Sequence, residues 1–202
     1  MNDTPAELLS VATELFAEHG YDGTSIRMIT DRAGANLGAV TYHFGSKEAL
    51  YERVFETMMG PFRPYMLEAV GTEGSPLDRV ERFVRALFNY LREHPTLPRL
   101  IIQHLASNLP VLDSVRRTIV GNIGQIAALI AEGQREGTIR DGDPTLMALS
   151  IGSQPLFLSL VSRTLREGTA IDQDDPETGQ EIADSVVRFV RAGLALNPAK
   201  EP

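Results

Sequence analysis

The sequence predicts an all-α protein: a three-helix unit over residues 1–46, then a larger helical domain over residues 47–202, about nine helices in all. Three observations predict it. Apolar residues recur at three- and four-residue spacings along most of the chain. Ser, Asp or Pro stands ahead of several of these stripes, where a helix would begin. No pair of alternating runs reads as a strand hairpin.

Leu8, Leu9, Ala12, Leu15 and Phe16 share one face of a first helix, with Glu7, Glu14 and Glu18 on the opposite face. Pro5 suits its first turn and Gly20 stops it. A second helix begins at a Ser25 cap and buries Ile26, Ile29 and Ala33. Gly34 supplies a left-handed turn. Asn36 then caps a third helix that runs to about His43, with Val40 and Phe44 inward and Leu37, Gly38, Ala39, Thr41, Tyr42 and His43 outward. Two short helices joined by a glycine turn form a helix-turn-helix, the device that lays one helix in the major groove of DNA.

A connecting helix follows from Lys47 to about Val70, broken near Gly60-Pro61 and Pro64. Ser75-Pro76 opens the next, with Leu77, Val80, Val84, Leu87 and Leu91 on one face. Another runs from Thr96 to Ser107, and Leu112, Val115, Ile119, Ile123, Ile126 and Ile130 stripe a longer one ending between Gly133 and Gly137. Asp143-Pro144 opens the eighth helix, which reaches about Arg166, and Asp175-Pro176 opens the ninth. Between these two lies an acidic loop.

The stretch from Leu8 to Leu50 resembles the DNA-binding domain of the TetR family of bacterial repressors. The resemblance rests on Ala12, Leu15-Phe16, Gly20-Tyr21, Thr24-Ser25-Ile26, Ala33-Gly34, Tyr42-His43-Phe44, Ser46-Lys47-Glu48 and Leu50. A weaker echo is Glu136-Gly137-x-Ile139-Arg140 ahead of Asp143-Pro144, where the family joins two long helices. Three positions depart from the pattern: Pro5-Ala6-Glu7 where a basic residue is common, Thr41 where an aromatic is usual, and Leu37 where a polar residue is common. The first bears on backbone affinity and the other two on the sequence that is read.

The resemblance, with position at helix ends, implies backbone contacts from Ser25, Arg27, Asn36, Tyr42, His43 and Lys47. Arg27 is also suited to a guanine edge, because its fork matches O6 and N7. Gly38 and Ala39 let the helix sit deep, Thr41 lies on the same surface, and Leu37 and Ala39 can meet a thymine methyl. An acid at Ala39 is therefore expected to abolish operator binding while leaving the dimer intact. Tyr42 and Leu37 also admit a packing role, His43 one limited to capping the third helix, and Thr24 reads as support for the turn.

Charge runs against the usual expectation. The chain carries a net −8, and within residues 1–50 Arg27, Arg32 and Lys47 face Asp3, Glu7, Glu14, Glu18, Asp22, Asp31 and Glu48. DNA binders usually lean basic, but phosphates feel the nearest charges, since salt screens beyond about 8–10 Å. The expected result is a shallow salt dependence. With no cysteine, disulfide and thiolate chemistry are excluded, as fits a cytoplasmic protein. His19, His43, His94 and His104 show no zinc-ligand spacing, and no metal or cofactor is expected. No continuous run approaches the roughly 18 apolar residues of a membrane span, and no signal pattern opens the chain.

The family also implies a small-molecule effector held among the later helices. Its candidate lining is Met58, Met59, Phe62, Phe83, Leu87, Phe88, Tyr90, His104, Ile123 and Gln154, with Gln103 as a further polar contact. Aromatics and Met suit an adaptable apolar cavity, though the same spacing describes plain core. The last two helices are where the family pairs into a homodimer. The eighth is apolar nearly all round at Leu156-Phe157-Leu158 and Leu160-Val161, more than one intramolecular face needs. Leu156, Phe157, Leu160, Val186, Phe189 and Val190 are the candidate interface.

The expected function is a ligand-responsive regulator, acting as a repressor on a palindromic double-stranded operator. The alternative keeps the fold with weak or lost DNA binding, as a ligand- or protein-binding regulator. An enzyme would need a convergent catalytic set, and no Ser-His-Asp, paired-carboxylate or phosphate-loop motif stands out.

Overall fold

The computed structural model describes residues 5–196. Asp3 and the expected domain limits at 1 and 202 lie outside them. The described residues form helices α1 (Pro5–Gly23), α2 (Ile26–Ala33), α3 (Ala39–Phe44), α4 (Lys47–Met59), α5 (Phe62–Val70), α6 (Pro76–Glu93), α7 (Thr96–Leu105), α8 (Asp113–Arg135), α9 (Pro144–Gly168) and α10 (Pro176–Leu194). The connecting helix is interrupted at Gly60-Pro61, which separates α4 from α5. Among the described residues the sole sheet-like pairing is an isolated bridge between Ile139 and Ala195.

The chain divides into two compact units, and the division does not fall at residue 46. The first comprises the chain up to Phe62 together with Pro95–Thr118, and the second comprises Arg63–His94 and the chain from Ile119 onward. The helix-turn-helix is thus part of a larger body, because α1 packs against α7 as well as against α2 and α4. Leu8, Ala12, Phe16, Ile29, Val40, Leu50, Val54, Phe55 and Leu100 form its fully buried core. Deep in this unit His104 is 1% exposed; its Nε2 accepts the Leu112 N–H at 3.0 Å and its Nδ1 faces the Tyr51 hydroxyl at 3.4 Å. Burial pushes its pKa below the usual histidine value.

Local chemistry sets the ends of these helices. Gly20, at φ 69°, takes a conformation outside the helical range, and buried Thr24 closes the turn by donating to the Gly20 carbonyl at 2.8 Å. Ser25 caps α2 by accepting the Met28 N–H at 3.1 Å. Gly34, at φ 64°, ends α2 in the left-handed conformation, and Ala35 N–H donates to the Thr30 carbonyl at 2.9 Å.

In the second unit α6 packs against α9 and α10. Ser75 and Asp78 form a reciprocal capping box on α6, Asp143 caps α9 and Asp175 caps α10. Arg85 pairs with Asp184, and Arg191 with Glu81, fastening α6 to α10. α9 runs without interruption from Pro144 to Gly168, with Pro155 buried inside it. By length and composition it could cross a membrane, contrary to the expectation from continuous apolar runs: no charge falls between Pro144 and Ser162, although Ser, Thr and Gln interrupt the apolar residues.

Candidate nucleic-acid interface

α3 is only six residues long, and its first turn is tighter than the sequence suggested. The Ala39 N–H donates to the Asn36 carbonyl at 2.9 Å, so a three-residue turn precedes the helix and Gly38 occupies the capping position. Asn36 opens that turn, two residues ahead of Gly38. The same geometry turns the Ala39 side chain inward, where it is 6% exposed. Ala39 leaves the reading surface, and the outward placement expected for it is corrected. Leu37, whose orientation the sequence left open, is 58% exposed. Tyr42 is 84% exposed, and its ring meets the half-buried His43 edge-on at 4.8 Å. The outward face of α3 and its preceding turn thus presents Leu37, Gly38, Thr41 and Tyr42, with His43 at the margin.

Around this face the three cations differ. Arg32 is committed to α1, at 2.7 Å from Glu14 and 3.6 Å from Glu18. Arg27 is exposed, and among the described residues it forms no ion pair. Lys47, in the first turn of α4, has its ammonium 4.0 Å from the centre of the Tyr21 ring and no carboxylate partner among the described residues. The neighbouring Glu48 is instead engaged by a neutral donor: the Tyr21 hydroxyl donates to its Oε1 at 2.5 Å. That bond is the main reason the Glu48 carboxyl is held down at about 2. Burial, and then this bond, push the Tyr21 phenol well above its ordinary value. Ser25, with its oxygen accepting from Met28, keeps a hydroxyl proton to donate outward.

Tyr21 and Glu48 belong to the motif, but the sequence alone assigns them no task. Their positions are 27 residues apart, and nothing in local spacing announces that they meet.

The other candidate sites are less concentrated. Met58, Met59, Phe62, Gln103 and His104 belong to the first unit, and Phe83, Leu87, Phe88, Tyr90, Ile123 and Gln154 to the second. Phe83, Phe88 and Tyr90 are buried core. Both nitrogens of His104 face protein partners, the Leu112 N–H and the Tyr51 hydroxyl. A groove of about 420 Å³ lies on the second unit, between α9 and α10. Leu146, Met147, Ile151, Phe189 and Val190 line it, with Gln154 the one member of the expected effector set. Of the expected interface, Phe157 and Phe189 are 62% and 70% exposed, and Leu156 and Leu160 are partly exposed. Val186 and Val190 are interior, at 9% and 3% exposed, because they lie on the face of α10 turned into its own unit. They are withdrawn from the outward set, while Leu146 and Leu149 on α9, 64% and 45% exposed, enter it. Among the described residues no cluster of His, Asp and Glu could hold a metal ion.

Comparison with known proteins assigns both parts of this arrangement. Residues 8–54 match the model for bacterial regulatory proteins of the tetR family, and residues 76–190 match that for the tetracyclin repressor-like C-terminal domain. The chain belongs to the TetR family. Its relatives include the HTH-type transcriptional repressor KstR2 of Mycolicibacterium smegmatis, 30% identical over 207 residues, covering 95% of this chain and 94% of that protein. They also include the HTH-type transcriptional regulator RutR of Escherichia coli K12, 26% identical over 184 residues and covering 89% and 80%. The ketosteroid transcriptional regulator KstR2 of Mycobacterium tuberculosis has the same fold, with a TM-score of 0.76 over 95% of both chains at 24% identity. Membership makes this chain a DNA-binding transcriptional regulator of the TetR type and not an enzyme.

Proposed function

We propose that the protein is a cytoplasmic, ligand-responsive repressor that binds a palindromic operator as a homodimer and leaves it when a small, largely apolar effector binds. The observation that carries the DNA reading is the surface around α3: an exposed Leu37, Thr41 and Tyr42 flanked by two cations, Arg27 and Lys47, that no carboxylate neutralises among the described residues. Phosphates would orient the domain through Arg27, Lys47, Ser25, Tyr42 and His43, while Leu37, Thr41 and Arg27 would meet base edges. With Arg32 held by α1, few charges are available, so the salt slope should correspond to fewer than about eight phosphates.

The dimer reading is supported by the exposed apolar residues of α9 and α10, Leu146, Leu149, Phe157 and Phe189, which a lone chain would leave in water. A second copy paired about a two-fold axis would cover them and duplicate the reading helix at a fixed spacing, as a palindrome requires. The effector would act by binding the non-operator geometry more tightly than the operator geometry.

A second reading, a TetR-fold regulator with weak or lost DNA binding, is favoured by the acidic N-terminal region. Selection from random duplex DNA, at moderate salt and without added ligand, separates the two. Enrichment of a two-fold symmetric site is the expected result. A folded dimer that enriches nothing would overturn the repressor reading.

A further inference from the structure

We propose that Tyr21 is a positioning residue for DNA binding: its ring carries the Lys47 ammonium and its hydroxyl holds the Glu48 carboxylate, so that the cation and not the adjacent anion faces the phosphate backbone. This rests on the reading of α3 and the start of α4 as the DNA-facing surface.

Lys47 and Glu48 are consecutive residues of opposite charge in the first turn of α4. Paired directly with one another, they would offer a phosphate an ammonium already partnered by its neighbour. Tyr21 gives each a different partner. It stands just past the Gly20 break, where the chain leaves the α1 axis and turns towards α4. Its ring is fixed by Phe16, stacked at 6.2 Å, and by Tyr51, edge-on at 5.0 Å. The ring face holds the ammonium at 4.0 Å. The hydroxyl bonds Glu48 Oε1 at 2.5 Å. A neutral donor therefore satisfies the carboxylate, and the ammonium keeps its charge for an external anion. This matters more here than in a basic repressor, because Arg27 and Lys47 are the cations left uncommitted in a strongly acidic region.

A purely structural tie between α1 and α4 would use the same contacts, so the test reads charge and not stability alone. The full chain is titrated with two duplexes across a salt series: the site enriched from the random pool by the wild-type chain, and an unrelated duplex of equal length. Tyr21→Phe keeps the ring and releases the carboxylate. Its affinity should fall roughly three- to tenfold on both duplexes, with a salt slope shallower by about one phosphate. Adding Glu48→Gln should restore both quantities. Tyr21→Leu, which removes the platform, should not be restored by Glu48→Gln.

An unchanged slope in Tyr21→Phe, or a loss that Glu48→Gln leaves in place, would reduce Tyr21 to a structural tie. If Tyr21→Phe fails to fold, Glu48→Gln alone decides. It should alter affinity less than about twofold, because the carboxylate is already held aside, and a gain above about fivefold overturns the proposal. A wild-type chain that retains no duplex overturns the DNA reading itself, an outcome visible before any variant is made.

Discussion

The two units of this chain treat apolar residues in different ways. In the first, the stripe Leu8, Ala12, Leu15 and Phe16 is buried, and the exposed aliphatic of the reading face is Leu37, standing alone among Gly38, Thr41 and Tyr42. In the second, exposed residues accumulate along two helices, Leu146, Leu149 and Phe157 on α9 and Phe189 on α10. Single exposed apolar side chains are ordinary, but rows of them mark surfaces that something else covers. The first unit keeps such rows off its DNA-facing side, its other exposed aliphatics, Ile102, Leu105 and Val111, lying on and just after α7, while the second gathers its own along α9 and α10. On the proposed function, that difference puts DNA reading on a surface of small and polar groups and self-association on an apolar one.

An acid placed in each region breaks the comparison most strongly. Ala39→Asp puts a carboxylate into the interior of the first unit. It should destabilise that unit by about 2–4 kcal/mol, seen as a lowered thermal midpoint, with loss of DNA binding following from lost structure. The expectation from sequence, a folded protein with only its reading surface blocked, is thereby revised; a variant with unchanged melting would reinstate it. Phe189→Asp places the same charge on an exposed face. It should leave helix content intact and weaken self-association by roughly 30-fold or more in sedimentation experiments. If the wild-type chain is already a monomer at high concentration, the apolar row has another partner.

Leu37 sharpens the first half of the comparison. Replacing each thymine of the selected site in turn by deoxyuridine, which lacks the C5 methyl, should cost roughly threefold to tenfold at one position per half-site. Leu37→Ala should abolish the distinction between thymine and deoxyuridine there while changing stability by no more than about 0.5 kcal/mol. Equal binding of wild type to all the deoxyuridine duplexes would remove Leu37 from base reading.

The smallest effect is a pH dependence confined to the first unit. His104 has a folded pKa below its unfolded value near 6.5, so its contribution to stability is present above that pH and is lost as pH falls through the folded value. Protonation would also set an N–H of His104 against the Leu112 N–H that Nε2 now accepts. Denaturant midpoints should therefore decline below about pH 6.5, and His104→Gln should flatten that decline. A decline of equal size in the variant would assign it to other groups.

Much of the frame was legible because it is local. Ser25 and Asp175 lie within three residues of the backbone N–H groups they cap, Asp143 within two or three, and Gly34 takes the left-handed angle within its own residue. The long amphipathic helices α6 and α10 have enough turns for the 3.6-residue period to declare a face. α3 does not: six residues give less than two turns, and the tight turn at Asn36–Gly38 rotates the start of the helix so that Ala39 enters the core and Leu37 leaves it. Val186 and Val190 share the apolar composition of Phe189, yet only packing against the second unit's other helices determines that they are inside and Phe189 outside.

The sequence by itself determined the helical class, the caps at Ser25, Asp143 and Asp175, the helix-turn-helix and the family, since each depends on residues that interact across a few positions or on a pattern of fixed offsets. Tertiary structure alone decided which cations remain unpaired, which apolar residues are left in water, and that Tyr21 meets Lys47 and Glu48. Those outcomes depend on distances between residues tens of positions apart in the chain, which no periodicity encodes.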